Sequence, residues 1–187
     1  MQALLFSLIG LFGLLSYVFG VRGMLQNKYA PSVFSRVVWV LLAINSFAGV
    51  VASQSSDASI FLAGILLAGS IAMCVISFWK GVGGVGVTEY VCLGLLGISA
   101  VIWILFSAPL VNLIISLVAH FIGGIPTYKK VWIDPTSESG AFWAMFLIAG
   151  ILSILASQGS EFKDILLPVY FALFDGSIFL LTLRRLR

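Results

Sequence analysis

The chain has 187 residues, of which 61% are apolar and only 9% charged, with a mean hydropathy of +1.16. A soluble domain averages about 45–50% apolar and about 25% charged residues. No soluble fold of this length could bury so much apolar surface, so lipid must act as solvent for much of it. The net charge of +3 gives no nucleic-acid signal, because the basic residues are scattered between hydrophobic segments rather than gathered on one face.

A bilayer core asks for about 20 apolar residues per spanning helix. In chain order, seven segments meet this: Gln2–Val21, Val33–Ala52, Ile60–Trp79, Thr88–Phe106, Pro109–Tyr128, Ser139–Ala156 and Ile165–Arg184. The first has no basic region before it, so it reads as a spanning helix rather than a cleaved signal peptide. Polar/apolar alternation is absent, which excludes a barrel and leaves helices. The two cysteines, Cys74 and Cys92, fall inside hydrophobic segments and have no metal-ligand spacing around them.

Charge sets the orientation. Placing the first connection inside puts Arg22, Lys28, Arg36, Lys80, Lys129, Lys130, Arg184, Arg185 and Arg187 on the cytoplasmic face and leaves only Lys163 outside. The expectation is a multi-pass protein of the cell (inner) membrane, N-terminus outside and C-terminus cytoplasmic.

The chain also repeats itself. PSVFSRVVWVLLAINSFAGVVASQSSD, from Pro31 to Asp57, aligns without a gap on PTSESGAFWAMFLIAGILSILASQGSE, from Pro135 to Glu161. Gly20, Pro31, Ser35, Trp39, Ile44, Ala52, Ser53, Gln54 and Ser56 match Gly124, Pro135, Ser139, Trp143, Ile148, Ala156, Ser157, Gln158 and Ser160. With one small insertion, Gly69-Ser70-Ile71 aligns with Gly176-Ser177-Ile178. Three helices therefore recur, and one unrepeated helix between them gives both sets the same orientation. The fold class is an all-α membrane protein of seven transmembrane helices. Two parallel three-helix bundles, residues 1–80 and 108–187, are joined by a linker helix within 81–107.

This plan resembles the PQ-loop superfamily, which includes the SWEET sugar transporters. The resemblance rests on the three-one-three order and on His120–Ser139, HFIGGIPTYKKVWIDPTSES, where Pro126 near the inner end of the fifth helix precedes a basic loop and a Ser-rich entry to the sixth. Pro126-Thr127 stands where the family has Pro-Gln, and Val21-Arg22 stands at the equivalent place in the first repeat. The PnuC-type nicotinamide-riboside transporters share the plan. The resemblance implies a transporter working by alternating access between two bundles, without naming the solute.

Asp175 is the residue that stands out, about 15 Å inside the seventh segment. Ionisable groups at such depth are costly and mark pathways, proton relays or ligand contacts; the alternative is a protonated acid packed on a neighbouring helix. No basic residue shares its depth, so a fixed ion pair cannot hold it charged. It should ionise only when a water-filled cavity or a bound cation reaches it. Ser177, Ser70 and Asn45 are candidate solute contacts at similar depth, against interhelical packing for Asn45. His120 is a candidate proton carrier or a packing hydrogen-bond group.

Gln54 and Gln158 read as an outer gate or as helix termination. Trp39 and Trp143 read as an inner gate or as belt residues. Pro126, after Gly123 and Gly124, is a candidate hinge. Gly64, Ala68 and Ala72 form a small-residue stripe suited to helix packing. GVGGVG at 81–86 lacks the Lys-Ser/Thr end of a phosphate loop and reads as a linker. With one histidine and no metal-ligand cluster, neither enzyme, cofactor nor metal is expected. The expected partners are the bilayer and a small polar solute, sugar-like or vitamin/nucleoside-like. No nucleic acid is expected, and a homo-oligomer is compatible with the plan. A non-transporting receptor or accessory protein on the same scaffold is the alternative.

Overall fold

Backbone amides in lipid find no water, so long apolar runs satisfy them internally as helices. The computed structural model describes residues 1–27, 30–159 and 161–186. They form α1 Gln2–Leu25, α2 Val33–Ala52, α3 Asp57–Lys80, α4 Val87–Phe106, α5 Pro109–Ile133, α6 Gly140–Ala156 and α7 Phe162–Thr182, closed by a 3-10 turn at Leu183–Leu186. Lys28, Ser160 and Arg187, used above for charge and repeat, lie outside the described residues, as does the side chain of Arg185.

Six of these helices are long and apolar enough to cross a membrane; α6 is apolar but has 17 residues. At 1.5 Å per residue α6 is about 25 Å long, close to the thickness of a hydrocarbon core. The outward surface suits lipid. Among the residues of α4 only Cys92 and Ser99 are buried, and its last turn leaves Ile104 78% and Phe106 73% exposed. An apolar helix bare over most of its circumference is stable only where lipid covers it. The chain is thus a multi-pass helical membrane protein.

Local chemistry fixes the helix ends. Ser32, Ser56 and Ser139 cap α2, α3 and α6, their hydroxyls accepting from the backbone N–H of Ser35, Ser59 and Phe142. Pro109 opens α5 at a position where its missing N–H costs nothing. At the end of α2, Gln54 takes a left-handed φ of 52°. Gln54 N–H donates to Val51 O and Ser55 N–H to Val50 O, which is a Schellman termination. The 81–86 linker is extended, and Val82 exchanges backbone bonds with Pro31 and Val33.

In the packing, α3 touches both α1 and α2, while α7 touches both α5 and α6. Between these groups, α1 packs on α6, α2 on α5, and α3 on α6 and α7; α4 lies against α5 and α2. The main core joins Ile9, Leu62, Leu66, Leu113, Phe146, Leu167 and Phe171. Close approach uses small residues: Gly150 lies against the Ala172 backbone, so a Cβ there would meet Ala172 N at 3.1 Å. The Gly64–Ala68–Ala72 stripe corrects the expectation of packing within the chain, since Ala68 and Ala72 are exposed. Of the three, Gly64 lies near a neighbouring helix, beside the Phe47 ring of α2.

Candidate functional site

A cavity of about 250 Å³ runs into the bundle from the end where α2, α4 and α6 begin and α5 finishes. Arg36, Glu89, Lys130 and Glu138 line its mouth, two of each sign. Lys130 Nζ pairs with Glu138 at 2.6 Å, and the Ser35 hydroxyl donates to Glu89 at 2.5 Å. Deeper in, the lining turns aromatic and includes Trp39, His120, Trp143 and Phe174, with Ser70 and Asp175.

Helix α7 supplies the floor. Phe171 and Asp175 are four residues apart and so share a face, with Phe174 beside them. Asp175 is 3% exposed, and its Oδ2 is buried without a hydrogen-bond partner among the described residues. The groups facing it are the phenols Tyr17 of α1, Tyr128 of α5 and Tyr170 of α7, all within electrostatic reach. Among the described residues no Lys or Arg forms an ion pair with it. Its position needs one correction. Because α7 begins at Phe162, Asp175 lies about 20 Å from the start of the helix and about 10 Å from its end, in the half nearer the cavity mouth rather than at the centre.

A second polar atom is orphaned on the same cavity. Trp143 is 8% exposed, and its indole Nε1–H is buried with no acceptor among the described residues. Trp143 was expected either as a gate or as a belt residue; burial on the cavity wall removes it from the lipid interface. Trp39, which aligns with it in sequence, also lines the cavity and meets the His120 ring edge-on at 4.3 Å between centroids. His120 is locked among rings: Nδ1 is 2.8 Å from the Tyr170 hydroxyl, and Phe171 and Phe174 each lie 4.9 Å away. Tyr17 completes the wall, its hydroxyl donating to Leu66 O at 2.8 Å.

The opposite end is shut. Ala63, Leu66, Phe146, Leu167 and Phe171 close the cavity there as part of the main core. Beyond them lies a polar seal created by Pro168. This residue sits inside α7 and has no N–H, so the Asp164 carbonyl one turn earlier loses its helical donor. The hydroxyls of Ser56 (2.9 Å), Ser59 (2.5 Å) and Ser157 (3.4 Å) donate to that carbonyl instead. Ser153 Oγ donates to Ala58 O at 3.0 Å alongside.

Of the residues singled out in sequence, the structure brings Asp175, Ser70, His120, Pro126, Trp39 and Trp143 to one cavity. Four lie elsewhere. Asn45 donates to Ser99 Oγ (3.2 Å) and Asn112 Oδ1 (3.1 Å), knitting α2 to α4 and α5. Ser177 bonds the Tyr128 hydroxyl and the Phe174 carbonyl. Gln54 and Gln158 are exposed in the turns after α2 and α6. Pro126 lies inside an unbroken α5. Cys74 and Cys92 are free and buried, and the described residues hold no cluster of three potential metal ligands.

Sequence reasoning missed Tyr17, Phe171 and Phe174 and the seal around Pro168. The signal was present on α7, where Phe171, Phe174 and Asp175 fall on neighbouring positions of one helical face, and where Pro168 frees a carbonyl.

These features define a class: a multi-pass helical membrane protein with a one-ended, aromatic-walled chamber holding a buried acid. Compared with known proteins, the chain matches no family model, no curated relative and no solved structure, so the reading of its function rests on the chamber itself.

Proposed function

We propose that the chain is a carrier that moves a small polar solute across the cell membrane by alternating access, on the plan of the PQ-loop superfamily. The observation that carries this reading is the chamber: it opens at one end of the bundle only and leads to a buried, unpartnered carboxyl. A packing acid would bond a neighbouring helix, and a channel would be open at both ends. Binding sites between helices, closed to one side, suit a carrier.

The helix pairings support the two-bundle plan. Exchanging α1, α2 and α3 for α5, α6 and α7 turns the α1–α3 and α2–α3 contacts into α5–α7 and α6–α7, and it turns α1–α6 into α5–α2. Trp39 and Trp143, equivalent in the repeat, meet at the same cavity. All seven helices span the membrane in this reading, with α4 as the linker. The mouth lies at the end that carries Arg22, Arg36, Lys80, Lys129 and Lys130, which the positive-inside rule makes cytoplasmic. The structure is then the inward-open form, and the Ser56–Ser59–Asp164 seal is the closed outer gate.

Asp175 is the coupling residue of this proposal. With three phenols near it and no ion-pair partner among the described residues, it ionises only when water or a bound cation reaches it, which alternating access makes dependent on state.

The test is thiol labelling in oriented vesicles. In a background where Cys74 and Cys92 are replaced by Ala, Ser70→Cys should react with an impermeant reagent from the cytoplasmic face and be shielded from the outer face. Proteoliposomes carrying the protein should then show solute counterflow. Labelling of Ser70→Cys from neither face, or equally from both, would sink the carrier reading.

A further inference from the structure

Two buried polar atoms on the chamber wall have no partner among the described residues: Asp175 Oδ2 and Trp143 Nε1. Both side chains are more than nine-tenths buried, and both line the one cavity that reaches them. A buried carboxylate without a partner is costly, and so is a buried N–H without an acceptor. These atoms ask for complementary groups on a ligand. The carboxyl asks for a donor, best a charged one, and the indole asks for an acceptor oxygen. A sugar would supply hydroxyls to both, so the surrounding charge and rings must decide between the classes.

They favour a cation. Besides Asp175, the charged side chains among the described residues of the lining are Arg36, Glu89, Lys130 and Glu138, two of each sign, so they add no net charge, although Arg36 is within electrostatic reach of Tyr17. The groups facing Asp175 from α1, α5 and α7 are the phenols of Tyr17, Tyr128 and Tyr170, all electrically neutral unless ionised. Aromatic rings share the rest of the wall with the Ser46 and Ser70 hydroxyls: Trp39, His120, Phe174 and Trp143, with Phe142 set edge-on against Trp143 at 4.9 Å. Electron-rich rings beside an acid attract an ammonium group by the ring quadrupole as well as by charge. At about 250 Å³ the chamber holds a small molecule and excludes a peptide.

We infer that the chamber binds a small organic cation: a protonated amine that sits on Asp175, carried on a short or aromatic frame that presents an oxygen to the indole N–H of Trp143. The inference rests on the carrier reading only for its route into the membrane; the binding site stands on its own geometry.

The experiment uses the full chain, purified in detergent, with tyramine (an ammonium and a phenol oxygen) and tyrosol, its neutral isostere, in which a hydroxyl replaces the ammonium. Titration calorimetry should give tyramine at least a ten-fold higher affinity than tyrosol. Asp175→Asn, an uncharged isostere, should lower tyramine affinity at least ten-fold and leave tyrosol unchanged. Trp143→Phe should weaken both. Equal affinities for the two probes on the wild-type protein overturn the inference, whatever the variants do, so a variant that fails to fold does not rescue it. Glucose or a nucleoside displacing tyrosol while tyramine neither binds nor competes overturns it too, and leaves the carrier reading intact. Tyramine that binds as expected but drives no counterflow in proteoliposomes keeps the cation site and refutes the carrier.

Discussion

Gly69 puts the α1–α3 contact and the chamber wall to a single test. A Cβ built there would overlap the Tyr17 ring at Cδ2, Cε2 and Cζ, well inside van der Waals contact. The ring cannot simply swing aside. Its hydroxyl is tied to Leu66 O, and its edge meets Phe146 at 4.9 Å between centroids. Overpacking of this kind costs about 1–3 kcal/mol. Losing the hydroxyl bond adds about 0.5–1.5 kcal/mol, and the gain in helix propensity from Gly to Ala returns about 1 kcal/mol. Gly69→Ala should therefore destabilise the protein by about 2 kcal/mol, read as reversible unfolding in mixed micelles by steric trapping or SDS titration. In a Tyr17→Ala background the clash has no partner, and Gly69→Ala should be neutral or stabilise by up to about 1 kcal/mol. An equal cost in both backgrounds would mean that Tyr17 does not pack on Gly69, and the wall described above would be wrong.

Three further outcomes follow from the same geometry. Pro168→Ala restores an N–H that competes for the Asp164 carbonyl, and Ser56→Ala with Ser59→Ala removes two of its donors. At about 1 kcal/mol per bond, either change should raise outer-face labelling of Ser70→Cys by roughly ten-fold or more; unchanged labelling refutes the gate. Asn45→Ala breaks bonds to Ser99 and Asn112, so unfolding should show a loss of about 1 kcal/mol with tyramine affinity unchanged; a drop in affinity alone would return Asn45 to the binding site. Cysteines at Gln158 and Thr136 should label from opposite faces of intact cells, Gln158→Cys from outside, and labelling of both from one side would break the seven-span topology.

Much of the fold was legible because lipid imposes a simple demand. Apolar length and polar punctuation placed every helix, though the structure extends α1 to Leu25, α3 back to Asp57 and α7 back to Phe162. Those turns carry charged or polar residues such as Arg22, Asp57 and Lys163, which a hydropathy reading trims. The candidate site was legible only roughly in depth, since Asp175 lies nearer the mouth than the hydropathy bounds put it, and not at all in direction. Asn45, Ser70 and Ser177 share a polar character with Asp175, and only the rotation of each helix decides which of them faces the cavity. Ser70 does. Asn45 turns to α4 and α5, and Ser177 turns to Tyr128. Hydropathy carries no rotational information when every face of a helix is apolar. The aromatic wall was hidden for the same reason, since Phe171 and Phe174 look like lipid-facing residues until α6 and α5 are packed against them.

The two ends of the chamber differ in a way that bears on how it would work. At the mouth, Lys130 and Glu138 form an ion pair across the α5–α6 turn, a contact that water can replace at little cost because Lys130 is exposed. At the closed end, the Pro168-freed carbonyl and its serine donors are neutral hydrogen bonds over a sealed apolar layer. Each neutral bond is worth about 1 kcal/mol net, so the hydrogen-bonded part of that end contributes a few kcal/mol, on top of the apolar layer beneath it. A shift from about 1% to about 99% of a second state asks for about 5.5 kcal/mol of differential affinity. A charge–charge contact at a desolvated carboxyl can supply energy on that scale when the occupied chamber closes around it. Asp175 lies in the half of α7 nearer the mouth, whereas Pro168 lies two turns away toward the seal. In the proposed carrier, a ligand on Asp175 would therefore act on the same helix that carries the serine-bonded carbonyl at the closed end, and rigid displacement of α7 would connect the two without any further device.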